Sequence, residues 1–157
     1  MATEPLAISD ILDKIVSHAA AGGWFENVNS HEQLENAPGN GLTCSVWVDA
    51  ITPIRSSGLD STSVRLTVYV RIYTSNDQMP RDAIDPHMVS ATDDLLRAYI
   101  SDFTLGGLVR QVDVRGAYGP QLDARAGYIN LSGAVSRVMT ITLPLIVNDL
   151  WDEEAGS

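Results

Sequence analysis

Val64-Arg65-Leu66-Thr67-Val68-Tyr69-Val70-Arg71-Ile72-Tyr73 alternates without a break between aliphatic residues and charged, hydroxylated or aromatic ones. Successive side chains of a strand point to opposite faces, so this period of two predicts a strand with Val64, Leu66, Val68, Val70 and Ile72 on a buried face. Its other face carries Arg65, Tyr69, Arg71 and Tyr73. Aromatic residues mixed with arginine are enriched in the cores of protein contacts, whereas a plainly solvated face would be polar throughout. The stretch therefore sets two expectations, a sheet packed on one side and a candidate contact face on the other.

Upstream, Leu42, Cys44, Val46, Val48 and Ala50 alternate with Thr43, Ser45, Trp47 and Asp49, which predicts a neighbouring strand. It adds Cys44 to the buried face as a small hydrophobe, and Trp47, Asp49 and Ile51 to the other face. Residues 27–41, which include Ala37-Pro38-Gly39-Asn40-Gly41, have no period and read as a surface connection with little core. Before them, Ile8, Leu12, Ile15, Val16 and Ala19 recur at helical spacing. With Pro5 at the start and Gly22-Gly23 after the end, they predict a helix over about 5–20.

Downstream, residues 74–86 read as a loop. Asp85-Pro86 supplies a helix start, acid at the cap and proline at the first helical position, for the repeat Met88, Ala91, Leu95, Ala98, Tyr99 and Phe103. Gly106-Gly107 stops that helix, and residues 108–115 read as a strand. Tyr128-Ile129-Asn130 and residues 135–147 form a predicted hairpin, with Pro144 calling for an edge position or a bulge. The order α-β-β-α-β-β-β predicts a single α+β domain over 1–157, ending in a frayed acidic tail from about 152. Its two helices cover one face of a mixed, largely antiparallel sheet.

The chain has 157 residues and a formal net charge of −10. A protein that grips duplex DNA neutralises phosphates with Lys and Arg, so this charge excludes a simple basic nucleic-acid binder. The acidity belongs to the ends: six acids against Lys14 in residues 1–35, and four acids with no base in residues 149–157. The middle, with nine arginines against ten aspartates, is close to neutral. A hydrophobic fraction of 45% is that of a packed domain, not of an acidic disordered chain. One cysteine excludes an internal disulfide. No apolar run approaches the roughly 20 residues of a membrane-spanning helix, and residues 1–13 lack the basic start and apolar core of an export signal. The expectation is a soluble protein made in the cytoplasm, with no membrane partner.

No catalytic, cofactor or metal site is expected. His18, His31 and His87 show no metal-ligand spacing. Cys44 with His87 and an aspartate would make a nucleophile and base, but Cys44 falls on the core face, where a thiol is inert. Asp82, Asp85 and His87 lie together near the second helix start; turn and cap roles account for them, and a deep pocket there would favour an enzyme. Asn130-Leu131-Ser132 matches a glycosylation acceptor without a secretory route to use it. What is left is the second sheet face. Either loops and the Trp24-Phe25 segment cover it, or a second protein does through Trp47, Arg65, Tyr69, Arg71 and Tyr73.

The runs Asp102-Phe103-Thr104-Leu105-Gly106-Gly107, Val112-Asp113-Val114-Arg115-Gly116-Ala117-Tyr118-Gly119 and Ala126-Gly127-Tyr128-Ile129-Asn130, with Arg137 to Trp151, resemble the tail terminator proteins of long-tailed (siphovirus-type) bacteriophages. The resemblance spans about residues 69–151, and the first third of the chain matches in element order alone. It implies a small α+β subunit of the virion, assembled as a homo-oligomeric ring, typically a hexamer, at the head-proximal end of the tail. Such a ring caps the tail tube protein, stops its polymerisation and meets a head connector or stopper protein, while DNA passes through unheld. It implies no catalytic activity and no cofactor. Two other readings stay open, another head-to-tail joining protein (a stopper or tail-completion subunit) and a small α+β enzyme or ligand-binding domain. Under the ring reading, acids of the first helix or the tail are expected to face the channel and repel passing DNA.

Overall fold

Val64, Leu66, Val68, Val70 and Ile72 are all completely buried in the computed structural model, which describes residues 8–30, 41–54, 61–76, 81–131 and 133–152. The expected helix start at Pro5, His31, most of the 27–41 connection and the acidic tail beyond Asp152 lie outside those residues. The elements in chain order are α1 (Ile8–Ala21), β1 (Phe25–Asn29), β2 (Leu42–Ile54), β3 (Ser61–Ser75), α2 (Ile84–Ser101), β4 (Gln111–Val112), β5 (Asp123–Leu131) and β6 (Ala134–Asp152). The fold is α+β, with a mixed sheet in the order β1-β2-β3-β6-β4, and β5 also pairing with β6. Among the described strands the β1–β2 pair alone is parallel.

Both helices pack on the face that the alternation of β3 marks as buried. Ile11, Ile15 and Ala19 of α1 and Leu95 and Tyr99 of α2 share one core with Cys44, Val46, Val64, Leu66, Val68 and Val70, joined from β6 by Ile141, Leu143, Leu145 and Val147. Each of the Val, Leu and Ile side chains contributes roughly 1.5–3 kcal/mol by leaving water. Tyr99 brings a polar end into this core and spends it on the Ile15 carbonyl, to which its hydroxyl donates at 3.1 Å. That bond ties the two helices together.

Several expectations need correction. The segment after α1 contains a strand: β1 runs beside β2 from Phe25↔Leu42 to Asn29↔Ser45. It is five residues long and half exposed, too short and too irregular in burial to show a period. Trp24 and Phe25 pack with Leu42, Ile72, Met88 and Ala91 on the helix side, so they do not cover the second face. Helix α2 starts before Asp85, through a single 3-10 turn at Arg81–Ala83, and Asp85 is an acid in its first turn, not its cap. Pro86 is tolerated there because first-turn N–H groups have no helical partner to lose. The helix also ends earlier, at Ser101, and the exposed Phe103 lies beyond it.

The expected strand over 108–115 shrinks to Gln111–Val112. Positive φ at Leu105, Gly106 and Gly107 turns the chain before it, and Asp113 turns it again immediately after. The hairpin holds, with its first strand beginning at Asp123 and its closing pair at Leu131↔Ala134. Pro144 is not on an edge strand, since β6 pairs with β3 along one side and with β5 and β4 along the other. A strand residue's N and C=O point to the same side, and the Pro144 carbonyl accepts the Asp113 N–H at 2.8 Å. The missing N–H therefore falls on the side where β6 changes partner, between Thr142↔Asp123 and Leu145↔Val112, and no ladder bond to β3 is lost.

Candidate functional site

The second face is built by register. Trp47 stands opposite Tyr69, Ser45 opposite Arg71 and Thr43 opposite Tyr73; across the next ladder, Tyr69, Arg71 and Tyr73 meet Thr142, Thr140 and Val138. An irregularity between Val48 and Ala50 shifts the register, so Ile51 pairs with the core residue Leu66 and leaves the face on which strict alternation put it.

The five residues expected to form a contact separate into three groups. Arg65 is 5% exposed and is used within the chain: its Nε meets Asp113 Oδ2 at 3.4 Å, one terminal nitrogen meets Thr67 Oγ1 at 3.5 Å, and the other donates to the Pro120 carbonyl. Tyr73, at the far end, is fully buried against Leu131, Val138 and Ile129 of the hairpin. Neither is available to a partner. Between them Trp47, Tyr69 and Arg71 are half-buried. The Trp47 and Tyr69 rings meet edge to face with centroids 5.8 Å apart. Arg71 lies 5.1 Å from the Trp47 ring centre and 6.0 Å from that of Tyr73, and its Nε donates to Thr140 Oγ1 at 2.8 Å. These contacts fix three large side chains in place without burying them, so a partner would bind them with little ordering cost.

The loop at residues 113–122 covers the Arg65 end of this face, and sequence reasoning missed its anchor. Asp113 is 2% exposed; its two oxygens accept the N–H groups of Ala117 and Tyr118 at 2.7 and 3.0 Å and face Arg65. The available signal was Asp113 three residues ahead of Gly116, a pattern in which an aspartate bonds its own following backbone. Between loop and sheet lies an open cleft of about 470 Å³, lined among others by Asp49, Arg65, Tyr69, Pro120, Asp123 and Thr142. Burial first, and then the Asp49 carboxylate that accepts its hydroxyl, hold the Tyr69 phenol above the ordinary tyrosine range.

The residues considered for catalysis do not assemble. Cys44 is completely buried, and burial pushes its thiol up to about 12. Asp82, Asp85 and His87 are all exposed at the start of α2. Asp85 takes both forks of Arg137, at 3.0 and 3.3 Å, and Arg137 stacks 4.5 Å from the centre of the Tyr128 ring. His87 faces the Trp24 ring. His18 bonds Asp102 at 2.9 Å with its ring edge-on to Tyr99, and so joins α1 to the end of α2. Among the described residues no three His, Cys, Asp or Glu side chains group to hold a metal ion, and no helix is long and apolar enough to cross a membrane. Compared with protein families and with curated proteins, the chain matches no family model and no curated relative.

Proposed function

We propose that this chain is a tail terminator subunit of a long-tailed bacteriophage, a non-enzymatic structural protein that acts as a homo-oligomeric ring. In this reading the ring, a hexamer, caps the tail tube, stops its polymerisation and joins it to the head connector or stopper while DNA passes. The observation that carries the reading is the Trp47, Tyr69 and Arg71 cluster, half-buried and held rigid in the middle of a sheet face that neither described helix covers. Aromatic and arginine side chains of this kind dominate the energy of protein contacts.

The stretches that carry the family resemblance fall on two turns and two strands of the fold. Residues 102–107 form the turn after α2, residues 112–119 form the loop anchored by Asp113, and the remaining two stretches are β5 and β6. Acids at the two ends of the chain suit a channel through which DNA slides without adhering.

Electron microscopy of the purified protein, with its mass in solution measured in parallel, tests the reading. A closed ring with an open channel is the expected result. A monomer at every concentration, with Trp47 inaccessible to quencher, would sink it. Locating the protein in particles, at the tube end or against the portal, separates a terminator from a stopper or tail-completion subunit.

A further inference from the structure

Among the described residues Arg65 meets Asp113, Arg97 meets Asp93, Arg125 meets Asp123 and Arg137 meets Asp85. Arg115 is exposed and meets no carboxylate among the described residues. It belongs to the loop anchored by Asp113, which also presents Tyr118, 38% exposed, with the Arg110 guanidinium 5.8 Å from its ring centre. The helices show the reverse imbalance. Asp85 and Asp93 are paired with arginine, Asp94 accepts the Trp24 Nε1–H at 3.0 Å, and Asp102 meets His18 and Lys14. Asp10 and Asp13, three apart on the outer side of α1, are exposed and meet no partner among the described residues.

Helix α1 packs on the core face through Ile11, Ile15 and Ala19, while the loop reaches the second face where Pro120 binds Arg65. A neighbour in head-to-tail orientation can bring the two groups together, and a contact between two different patches is the kind from which a ring is built when its rotation closes.

We infer that the Arg115–Tyr118 loop of one copy docks on the Asp10 and Asp13 face of α1 in the next copy. The inference rests on the ring reading above and adds a charged contact to the one assigned there to the Trp47, Tyr69 and Arg71 cluster. The loop is suited to this role because the buried Arg65–Asp113 pair and the two backbone bonds to Asp113 fix its shape before contact. It also divides the chain's acidity: Asp10 and Asp13 belong to the subunit contact, and the acids near the C-terminus are those left for the channel.

Charge reversal with rescue tests this, since exposed side chains can be reversed without emptying the core. The dissociation constant of the assembly, measured by sedimentation, is expected to rise on the order of tenfold or more for Arg115→Glu, and similarly for Asp10→Arg with Asp13→Arg. The combination of all three is expected to return to within about threefold of the unmodified chain, because the cycle isolates the coupling. Circular dichroism confirms that each variant is folded. Rings that form equally well with Arg115→Glu, or a combination no better than the single sets, would overturn this contact and leave the ring reading standing. A chain that never assembles would overturn both.

Discussion

Arg65 and Asp113 form an ion pair inside the protein, Nε to Oδ2 at 3.4 Å, with side chains 6% and 2% exposed. Arg65 comes from the first half of β3, and Asp113 from the residue after the two-residue strand β4. Asp113 also receives two backbone N–H groups of its own loop, so a single carboxylate joins the loop to the sheet.

Removing both members of this pair should cost less than the two single removals added together. Asp113→Ala strands the Arg65 guanidinium under the loop and frees the N–H groups of Ala117 and Tyr118, so a loss of about 3–5 kcal/mol is expected. Arg65→Met combined with Asp113→Ala should lose less than the sum of the single changes. Urea unfolding of the four proteins gives the cycle, and additive losses would show that the pair is not coupled.

Gly116 sits in the same loop with φ +73°, and an added Cβ would lie 2.5 Å from the Gly119 carbonyl oxygen. Gly116→Ala should therefore destabilise by more than the ~1 kcal/mol that a left-handed backbone alone costs alanine. Gly133, at the hairpin tip, has φ +83° but open space around it. Gly133→Ala should cost only that backbone term, and the difference in melting temperature between the two variants measures the clash.

The sheet was legible because its strongest signal, the alternation in β3, belongs to a strand paired on both sides over most of its length. The helices were legible from their period, although their ends moved by several residues where local turns took over. The region from Leu105 to Leu122 was not legible. Its order comes from positive φ angles and from one buried carboxylate serving three donors, and neither leaves a periodic trace. The contact face was legible in part. Alternation put Arg65, Tyr69, Arg71 and Tyr73 on one side of β3, but only the tertiary arrangement buries its two ends under the loop and the hairpin.

Acid should weaken the joint between the two helices. The His18 side chain, first, and then the Gly106 N–H hold the Asp102 carboxyl below the ordinary carboxylate range. A carboxyl whose pKa is lower in the folded state binds fewer protons there, so its contribution is complete above the unfolded value of about 3.9. It is lost as pH falls through the lower folded value. Subtracting the stability of Asp102→Asn from that of the unmodified chain should give a difference that is flat near neutrality and shrinks below about pH 4. A difference that stays constant down to pH 2 would remove Asp102 from the acid response.

Cys44 should behave as core, not as a reactive thiol. With its thiol pushed up to about 12 by burial, almost no thiolate is present at neutral pH, and reagent has no path to it. Modification by a disulfide reagent should be negligible in the folded protein and should rise with urea along the unfolding curve. Rapid modification without denaturant would place Cys44 at an opening that the packing of Val46, Val70 and Tyr99 does not provide.

Trp47 and Arg71 make the sharpest separation between stability and assembly. In the isolated chain the Trp47 ring is half-buried and contacts Tyr69 and Arg71, an arrangement that contributes on the order of 1 kcal/mol. Trp47→Ala should therefore lower the melting temperature modestly. If this face lies inside a subunit contact, the same change should weaken assembly by about 2 kcal/mol or more, as truncation of a central aromatic anchor does. Arg71→Lys gives an independent readout. Lysine keeps the charge but loses the planar group that lies against Trp47 and donates to Thr140, so assembly should weaken while net charge and salt dependence stay the same. Equal losses in folding and assembly for both variants would mean that the cluster serves the monomer alone.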